Sequence, residues 1–401
     1  MAMGTSMEIG IVGKPNVGKS TFFNACTHGA AEMANYPFTT IASNTGVTYV
    51  TAPCPCTEFN VVCEPRNARC VSGVRLVPTT IIDVAGIVPG AHEGKGLGNQ
   101  FLDDIRRASV LIHVVDASGS TDEGGNPVNK GAHDPLEDVA FLEREIDLWF
   151  ASVFSRHWEK VSRKIALTNK NIFQVVAENF SGIGIGEEDV HGAVKDAGLD
   201  PERPRVWTED DITSFAMHIR TRTKPIVIAA NKADIADDDQ IAALQKGARN
   251  VVPVSAGAEL LLRKARDASL IDYVPGESDF SITGDVSQKQ GEALERVRAI
   301  MRRWGSTGVQ SCINTAVFDI LDRIVVYPVE NEKRLCDGKG AVLPDALLLR
   351  RGATPMDLAE KIHSDIAKNY IYALNVRTNR RIAEDCELCS GDIIKIASAA
   401  R

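Results

Sequence analysis

Eight residues near the N-terminus have the types and spacing of a loop that binds phosphate. They fit the pattern G-x-x-x-x-G-K-[ST]. In such a loop, glycines let backbone N–H groups curl around phosphate oxygens, and the following helix adds partial positive charge. An apolar run at 8–12 and a helix-forming run from Ser20 supply the flanking strand and helix. The predicted phosphate contacts are Gly13, Pro15, Asn16, Val17, Gly18, Lys19, Ser20 and Thr21.

A cation and a metal ion would act on the terminal phosphates. Lys19 would reach the β- and γ-phosphates, and the Ser20 hydroxyl would bind Mg²⁺. Asp83 ends an apolar run and Gly86 follows it three residues later. In that arrangement the carboxylate holds Mg²⁺ and the glycine N–H meets the γ-phosphate.

A threonine in the segment Asn-Tyr-Pro-Phe-Thr-Thr at 35–40 would complete the metal site. Thr39 and Thr40 suit this role equally, and Thr40 is taken as the candidate. The candidate catalytic residues are therefore Lys19, Thr40, Asp83 and Gly86. The candidate metal ligands are Ser20, Thr40 and Asp83.

The residue after Gly86 is Ile87, whose side chain cannot hydrogen-bond a water molecule. Ras-like proteins place a water-orienting glutamine there, so the sequence predicts slow intrinsic hydrolysis. The segment 90–98 holds four glycines and reads as a loop that a bound ligand would order. His92 lies within it, and a catalytic role for His92 is the less favoured interpretation.

A second motif, Asn-Lys-x-Asp at 231–234, follows the apolar run 225–230. The Asp234 carboxylate would accept two hydrogen bonds, from guanine N1–H and from the exocyclic amine. Adenine does not offer that arrangement. A site built on such a pair can reject the wrong base by ~10⁴-fold, because its carboxylate would be left unpaired.

Four other side chains or backbone groups would support the base. Asn231 would tie the base-binding loops together, and the stem of Lys232 would lie over the base plane. Ser255 and Ala256 follow the last apolar run, where a backbone N–H would meet guanine O6.

These residues need an α/β framework to bring them together. Apolar runs of strand length end at each motif, and helix-forming segments lie between them, which predicts an α/β P-loop NTPase domain of Ras-like type. The chain between Asp116 and Pro225 far exceeds the roughly 30 residues of a βαβ unit, and it is rich in helix formers. It therefore predicts a helical insertion whose aromatic residues form a core.

In the C-terminal region, short strand-like apolar runs alternate with helical segments, which predicts a small α+β domain. In this domain Thr354 would cap a helix that begins at Pro355. The predicted domain limits are 7–134 with 223–275 for the P-loop domain, 135–222 for the helical insertion, 276–321 for a linker with helices, and 322–401 for the C-terminal domain. The turn-rich segment 272–287 predicts a linker, and the segments 287–304 and 308–323 each predict an amphipathic helix.

Nine cysteines, an odd number in a long chain, favour a reducing cytoplasm. Cys54, Cys56, Cys63 and Cys70 could close a tetrahedral zinc site, but their spacing C-x-C-x₆-C-x₆-C is not a standard zinc pattern. Free thiols are the favoured interpretation of these four cysteines, and a zinc site is the alternative.

The net charge and the length of the apolar runs bear on binding to nucleic acids and membranes. The formal net charge of −8 gives no global attraction to nucleic acid or to anionic membranes, so any RNA contact must come from a local patch. No apolar run approaches the ~18 residues of a membrane span. We expect no membrane association, a cytoplasmic location and a monomer.

With these motifs collected, the chain resembles Obg-family GTPases of the YchF-related group from Glu8 to Ser398. The segment 35–40 and the run from Asp83 to Asn99 carry the match, together with the helical insertion. The C-terminal part resembles a TGS domain, a ubiquitin-like β-grasp module, at the helix start Gly352-Ala353-Thr354 and the ending Gly391-Asp392-Ile393-Ile394.

The resemblance implies hydrolysis of GTP to GDP, with Mg²⁺, linked to the ribosome or RNA through the TGS domain and the helical insertion. Many YchF proteins have a degraded base motif and prefer ATP. In this sequence Asn231, Lys232 and Asp234 are intact, so we expect GTP rather than ATP to be the nucleotide. Asn16 matches an asparagine that ligates K⁺ in some related GTPases. The alternatives are a YchF-type ATPase and a ribosome- or RNA-binding factor with negligible hydrolysis.

Overall fold

The computed structural model describes residues 7–28, 44–66, 68–86, 98–168 and 170–399. The chain divides into two compact units. The first comprises Met1–Phe23 with Thr80–Gly257, and the second comprises Asn24–Thr79 with Ala258–Arg401.

The strands of both units are short, and those of the first coincide with the apolar runs of the sequence. In chain order they are β1 (Glu8–Val12), β2 (Thr45–Pro53), β3 (Arg69–Val71), β4 (Val74–Asp83), β5 (Val110–Asp116), β6 (Ile226–Asn231), β7 (Val251–Pro253), β8 (Ile271–Asp272), β9 (Ser281–Ile282), β10 (Arg323–Val329), β11 (Leu347–Arg350), β12 (Tyr370–Asn375), β13 (Arg380–Ile382) and β14 (Ile393–Ser398).

The helices vary from one turn to many turns. They are α1 (Lys19–Thr27), α2 (Pro55–Glu58), α3 (Gly98–Arg107), α4 (Pro135–Leu167), α5 (Ile172–Phe180), α6 (Glu187–Asp196), α7 (Glu209–Thr223), α8 (Asp238–Gly247), α9 (Ala256–Asp267), α10 (Gln288–Trp304), α11 (Val309–Asn314), α12 (Pro355–Ile362) and α13 (Ser364–Lys368). Short 3₁₀ turns cover Ser181–Ile183 and Pro204–Val206, and Thr315–Ile320 is π-helical.

A parallel sheet forms the core of the first unit, with strand order β4-β1-β5-β6-β7. Every residue of β5 and β6 is buried, which explains why these strands are continuous apolar runs rather than alternating ones. Parallel strands end at the same edge of a sheet, so β1, β4, β6 and β7 all deliver their following residues to one side. The predicted P-loop α/β fold is confirmed.

The helical insertion is confirmed as α4 to α7. Asp134 caps α4 by accepting a hydrogen bond from the Leu136 N–H, and proline occupies the first helical turn. Trp158 stacks on Trp207 with ring centroids 4.9 Å apart, and Phe215 packs against both. These rings are buried, so the aromatic residues form a core as expected. No described helix, α4 included, combines the length and apolarity needed to cross a membrane.

The C-terminal part of the second unit is a five-stranded sheet with order β11-β10-β14-β12-β13 and one parallel pair, β10 with β14. The side chain of Thr354 caps α12 by accepting from the Asp357 N–H, with Pro355 at the helix start, as predicted. The mixed α+β domain is confirmed.

Three segments differ from the prediction. The single amphipathic helix expected from Gly308 to Arg323 is instead α11 followed by the π-helical turn. π-Helical turns are rare, and six residues are too few for their spacing to be distinguished from that of an α-helix. The turn-rich linker contains β8 and β9, each two residues long and too short to show a period. The helix α8 was not predicted.

Candidate nucleotide-binding site

The predicted phosphate loop connects β1 to α1 and depends on two glycines. A Cβ on Gly13 would lie 2.6 Å from the carbonyl oxygen of Val114, and one on Gly18 would lie 2.3 Å from Nδ2 of Asn231. Both glycines also have positive φ, +158° and +94°. Side chains are excluded at both positions by sterics, which gives the sequence pattern a structural cause.

The cation and carboxylate predicted at the terminal phosphate lie together. The Lys19 ammonium contacts a carboxylate oxygen of Asp83, and both side chains are partly buried. β1 and β4 are paired with Ile11 opposite Asp83, so the sheet register fixes this position. Ser20 follows Lys19 in the first turn of α1 and is exposed. A hydroxyl and a carboxylate are the hard oxygen ligands that Mg²⁺ prefers.

The Asn231 side chain joins two loops. Its Nδ2 donates to the carbonyl oxygen of Val17 at 2.8 Å, and its Oδ1 accepts from the Ala256 N–H at 3.1 Å. The Ser255 hydroxyl donates to Asp234 Oδ1 at 2.9 Å. The structure therefore brings the phosphate loop, the Asn-Lys-x-Asp motif and the 255–256 turn together at one edge of the sheet.

Lys232 is anchored by Asp116, a residue for which the sequence predicts no role. Its ammonium donates to Asp116 Oδ2 at 2.8 Å, and its own backbone φ is +61°. Ser118 and Ser120 also donate hydroxyl hydrogen bonds to this carboxylate, at 2.6 and 2.8 Å. Burial raises the pKa of Asp116, but these hydrogen bonds lower it by more, and the net pKa lies below its usual value. Asp116 stays ionised and holds the Lys232 stem in place.

A buried ion pair connects the phosphate loop to the helical insertion. The Lys14 ammonium lies 2.9 and 2.8 Å from the two carboxylate oxygens of Asp138, in the first turn of α4. His133 Nε2 lies 2.9 Å from the same carboxylate. Asn16 Nδ2 donates to the carbonyl oxygen of Gly125 at 2.9 Å. The contacts of Lys14 and Asn16 leave no local sequence pattern, because their partners are more than a hundred residues away along the chain.

Thr39, Thr40, Ile87 and His92 lie outside the described residues, as does most of the glycine-rich segment. Gly86 is the last described residue before that segment, and a Cβ there would meet no atom of the described residues within 4 Å.

Family models match three successive parts of the chain. The model of the 50S ribosome-binding GTPase family matches residues 8–144. The Obg-like GTPase YGR210-like, G4 motif-containing domain matches residues 229–331, and the TGS domain matches residues 335–398. The base motif and β10 therefore fall in the second match, and the other strands of the C-terminal sheet, β11 to β14, fall in the third.

Curated relatives and solved structures cover most of the chain. An uncharacterized GTP-binding protein of Methanocaldococcus jannaschii is 48% identical, across 98% of this chain and 99% of its own length. The ribosome-binding ATPase YchF of Bacillus subtilis is 33% identical, across 68% and 69%. The crystal structure of a GTP binding protein from Pyrococcus horikoshii OT3 has a TM-score of 0.80 at 42% identity, covering 98% of this chain and 100% of that one. The Schizosaccharomyces pombe YchF GTPase, at 20% identity, a TM-score of 0.57 and 98% coverage of both chains, is similar in fold.

Proposed function

This chain belongs to the Obg-like, YchF-related family of P-loop GTPases, and from that premise we propose that it binds GTP and hydrolyses it slowly to GDP and phosphate. The observation that carries the proposal is the Asn231 side chain, which joins the phosphate loop to the base motif through Val17 and Ala256. A nucleotide bound to the phosphate loop would thereby have its base next to Asp234.

On the phosphate side, Lys19 and the backbone N–H groups of the loop would neutralise the β- and γ-phosphates. Ser20 and Asp83, with Thr40 or Thr39, would hold Mg²⁺. When bound, that ion would neutralise charge on the β- and γ-phosphate oxygens. The contact between Lys19 and Asp83 supports the proposal, because it keeps the cation and the metal ligand at one end of the sheet.

On the base side, Asp234 would accept from guanine and Lys232 would cover the base plane. The hydrogen bond from Ser255 to Asp234 fixes the carboxylate, and the contact between Lys232 and Asp116 fixes the lysine. Fixed groups bind with less loss of side-chain entropy than free ones do.

Relatives named ATPases, among them the Obg-like ATPase 1 of Homo sapiens at 30% identity over 92% of this chain, make ATP the second candidate substrate. Fluorescent GTP and ATP analogues decide between the two. We expect tighter binding of the guanine analogue to the wild-type chain, and an ATP preference would overturn the assignment of Asp234.

The variant Asp234→Asn sharpens this comparison. An amide places an N–H where the guanine amine donates, whereas xanthine has a carbonyl oxygen at that position. We expect GTP affinity to fall at least ~100-fold and xanthosine triphosphate affinity to rise. Asp239→Asn is the matched control, because Asp239 is an exposed aspartate on α8. If Asp234→Asn lost affinity for GTP and for xanthosine triphosphate equally, that result would count against base recognition by this residue.

K⁺ is the proposed source of additional positive charge at the γ-phosphate. The Asn16 amide nitrogen donates to Gly125, which leaves Oδ1 as the atom that would face a cation. A monovalent cation there would replace an arginine finger, which is worth ~10³–10⁵ in rate. Single-turnover hydrolysis should be faster in potassium than in sodium buffer at equal ionic strength; equal rates would contradict the proposal.

The ribosome is the proposed partner. The match to the ribosome-binding GTPase family and the relative named ribosome-binding ATPase support it, together with the TGS domain. A ribosome- or RNA-binding factor with negligible hydrolysis is the remaining alternative, and Ile87 is the residue that favours it.

A further inference from the structure

We propose that Cys54, Cys56, Cys63 and Cys70 form a tetrathiolate site for one structural Zn²⁺ ion. Their four Sγ atoms all lie within 4.8 Å of one another, although Cys54 immediately precedes α2, Cys56 lies in α2, Cys63 in the following loop and Cys70 in β3. This inference is independent of the nucleotide site. It depends on sulfur geometry, on a buried arginine and on the small apolar core of the segment.

Two of the sulfur separations match the edge of a tetrahedron around zinc, and the others are at most 4.8 Å. Cys54 Sγ lies 3.9 Å from Cys63 Sγ, and Cys56 Sγ lies 3.8 Å from Cys70 Sγ. With Zn–S bonds of about 2.3 Å, the edge of a regular tetrahedron is about 3.8 Å. A disulfide needs a separation of about 2.05 Å, so neither pair is at bonding distance. All four thiols converge on one point, which ordinary apolar packing of cysteines does not require.

Arg75 supplies positive charge beside the sulfurs. Its side chain is fully buried, and Nη2 lies 3.3 Å from Cys54 Sγ and 2.9 Å from the carbonyl oxygen of Leu343. Its Nε and Nη1 have no hydrogen-bond partner among the residues that the structure describes. A buried guanidinium is stable only beside compensating negative charge. Zn²⁺ with four thiolates carries a net charge of −2, which Arg75 would partly neutralise.

The metal would stabilise a segment with little core of its own. α2 has four residues and β3 has three, and the buried apolar cluster nearby contains only Tyr49 and Leu76 among the described residues. Small segments of this kind are commonly held by a metal or by disulfides. Four protein ligands would close the coordination sphere, so the ion would be structural and not catalytic.

The segment also carries contacts to the C-terminal part of the same unit. The Glu64 and Arg66 N–H groups donate to the carbonyl oxygens of Val342 and Pro344 at 2.8 and 2.9 Å. The zinc site would hold Cys63, immediately before Glu64, and so fix these backbone contacts. On binding, the four thiols would lose their protons to solvent, and the ion would link the segment to the TGS domain region.

The test uses the full chain, purified in a thiol-free reductant and without chelators. Elemental analysis should give about one zinc per chain, and loading with Co²⁺ should give the visible absorption of a tetrahedral tetrathiolate site. The Cys63→Ser variant should lose most of the zinc. The double variant Cys386→Ser with Cys389→Ser is the control and should keep it, because these exposed thiols lie outside the cluster.

Hydrogen exchange supplies a structural readout. In the wild-type chain, a chelator should accelerate exchange at the Glu64 and Arg66 amides. The proposal is overturned if the wild-type chain holds less than about 0.1 zinc equivalent and gives no tetrathiolate cobalt spectrum. Two disulfides found by mass spectrometry of the native chain would also overturn it. The wild-type measurements decide the question even if Cys63→Ser fails to fold.

Discussion

At the scale of single residues, Gly18 and Asn231 depend on each other. The Asn231 amide donates to Val17 while Gly18 passes so close that a Cβ would overlap Nδ2. The second glycine of the phosphate pattern is therefore required by the base motif as well as by the phosphate. One side chain sets the separation between the base loop and the phosphate loop, which is the distance that a nucleotide has to span.

His113 should make stability depend on pH. It is buried in β5, and burial, with a smaller effect of Lys14, lowers its pKa to about 3. Because an unfolded histidine has a pKa of about 6.5, the stabilisation is complete above that pH and is lost as the pH falls toward 3. Between pH 6.5 and 5, this residue should remove about 2 kcal/mol from the free energy of unfolding.

Urea unfolding of His113→Gln checks this, since a neutral side chain removes the titration. The variant should lose less stability than the wild-type chain between pH 6.5 and 5. His157→Gln is the control, because His157 is exposed on α4 and should leave the pH profile unchanged. Identical profiles for the wild-type chain and His113→Gln would show that His113 is not held neutral.

At the scale of elements, the first turn of α4 is attached to the phosphate loop by the buried pair of Lys14 and Asp138. Helix α4 also packs on α7, the last helix of the insertion. A movement of the loop would therefore act on the insertion through α4, which gives the helical lobe a direct mechanical link to the phosphate site.

Asp138→Ala should destabilise the chain by about 3–5 kcal/mol, because it leaves the Lys14 charge buried without a partner. Replacing both residues, Lys14→Met with Asp138→Leu, should recover most of that loss. Glu137→Ala is the control on the same turn, since Glu137 is solvent-exposed. Thermal or urea unfolding measures all four chains, and a loss below about 0.5 kcal/mol in Asp138→Ala would contradict a stabilising pair.

Sequence and structure agree best where a local pattern has a backbone cause. The phosphate loop needs glycines at positions 13 and 18, and α12 needs its Thr354 cap, so both could be predicted. The pair of Lys14 with Asp138 spans 124 residues and leaves no local pattern. The four cysteines have non-standard spacing, and their proximity depends on tertiary contacts such as the pairing of β3 with β4.

At the scale of the whole molecule, the first unit holds the described nucleotide-site residues, and the second holds the cysteine cluster and the TGS region. The sequence predicted the P-loop fold, the helical insertion and the C-terminal domain, because each has its own periodicity. The domain limits stay a prediction. So does the role of Thr40, since residues 29–43 lie outside the described part of the chain.

Hydrolysis should depend on a partner, because Ile87 cannot align the attacking water. Multiple-turnover GTP hydrolysis should rise at least ~10-fold on adding ribosomes, through groups that the ribosome supplies to the site. Ser20→Ala is the control and should stay inactive in both conditions, since it removes a proposed Mg²⁺ ligand. Co-sedimentation with ribosomes without stimulation would favour a binding factor. The absence of both would exclude the ribosome as the activating partner, because a partner that aligns the water must bind the chain and change its rate.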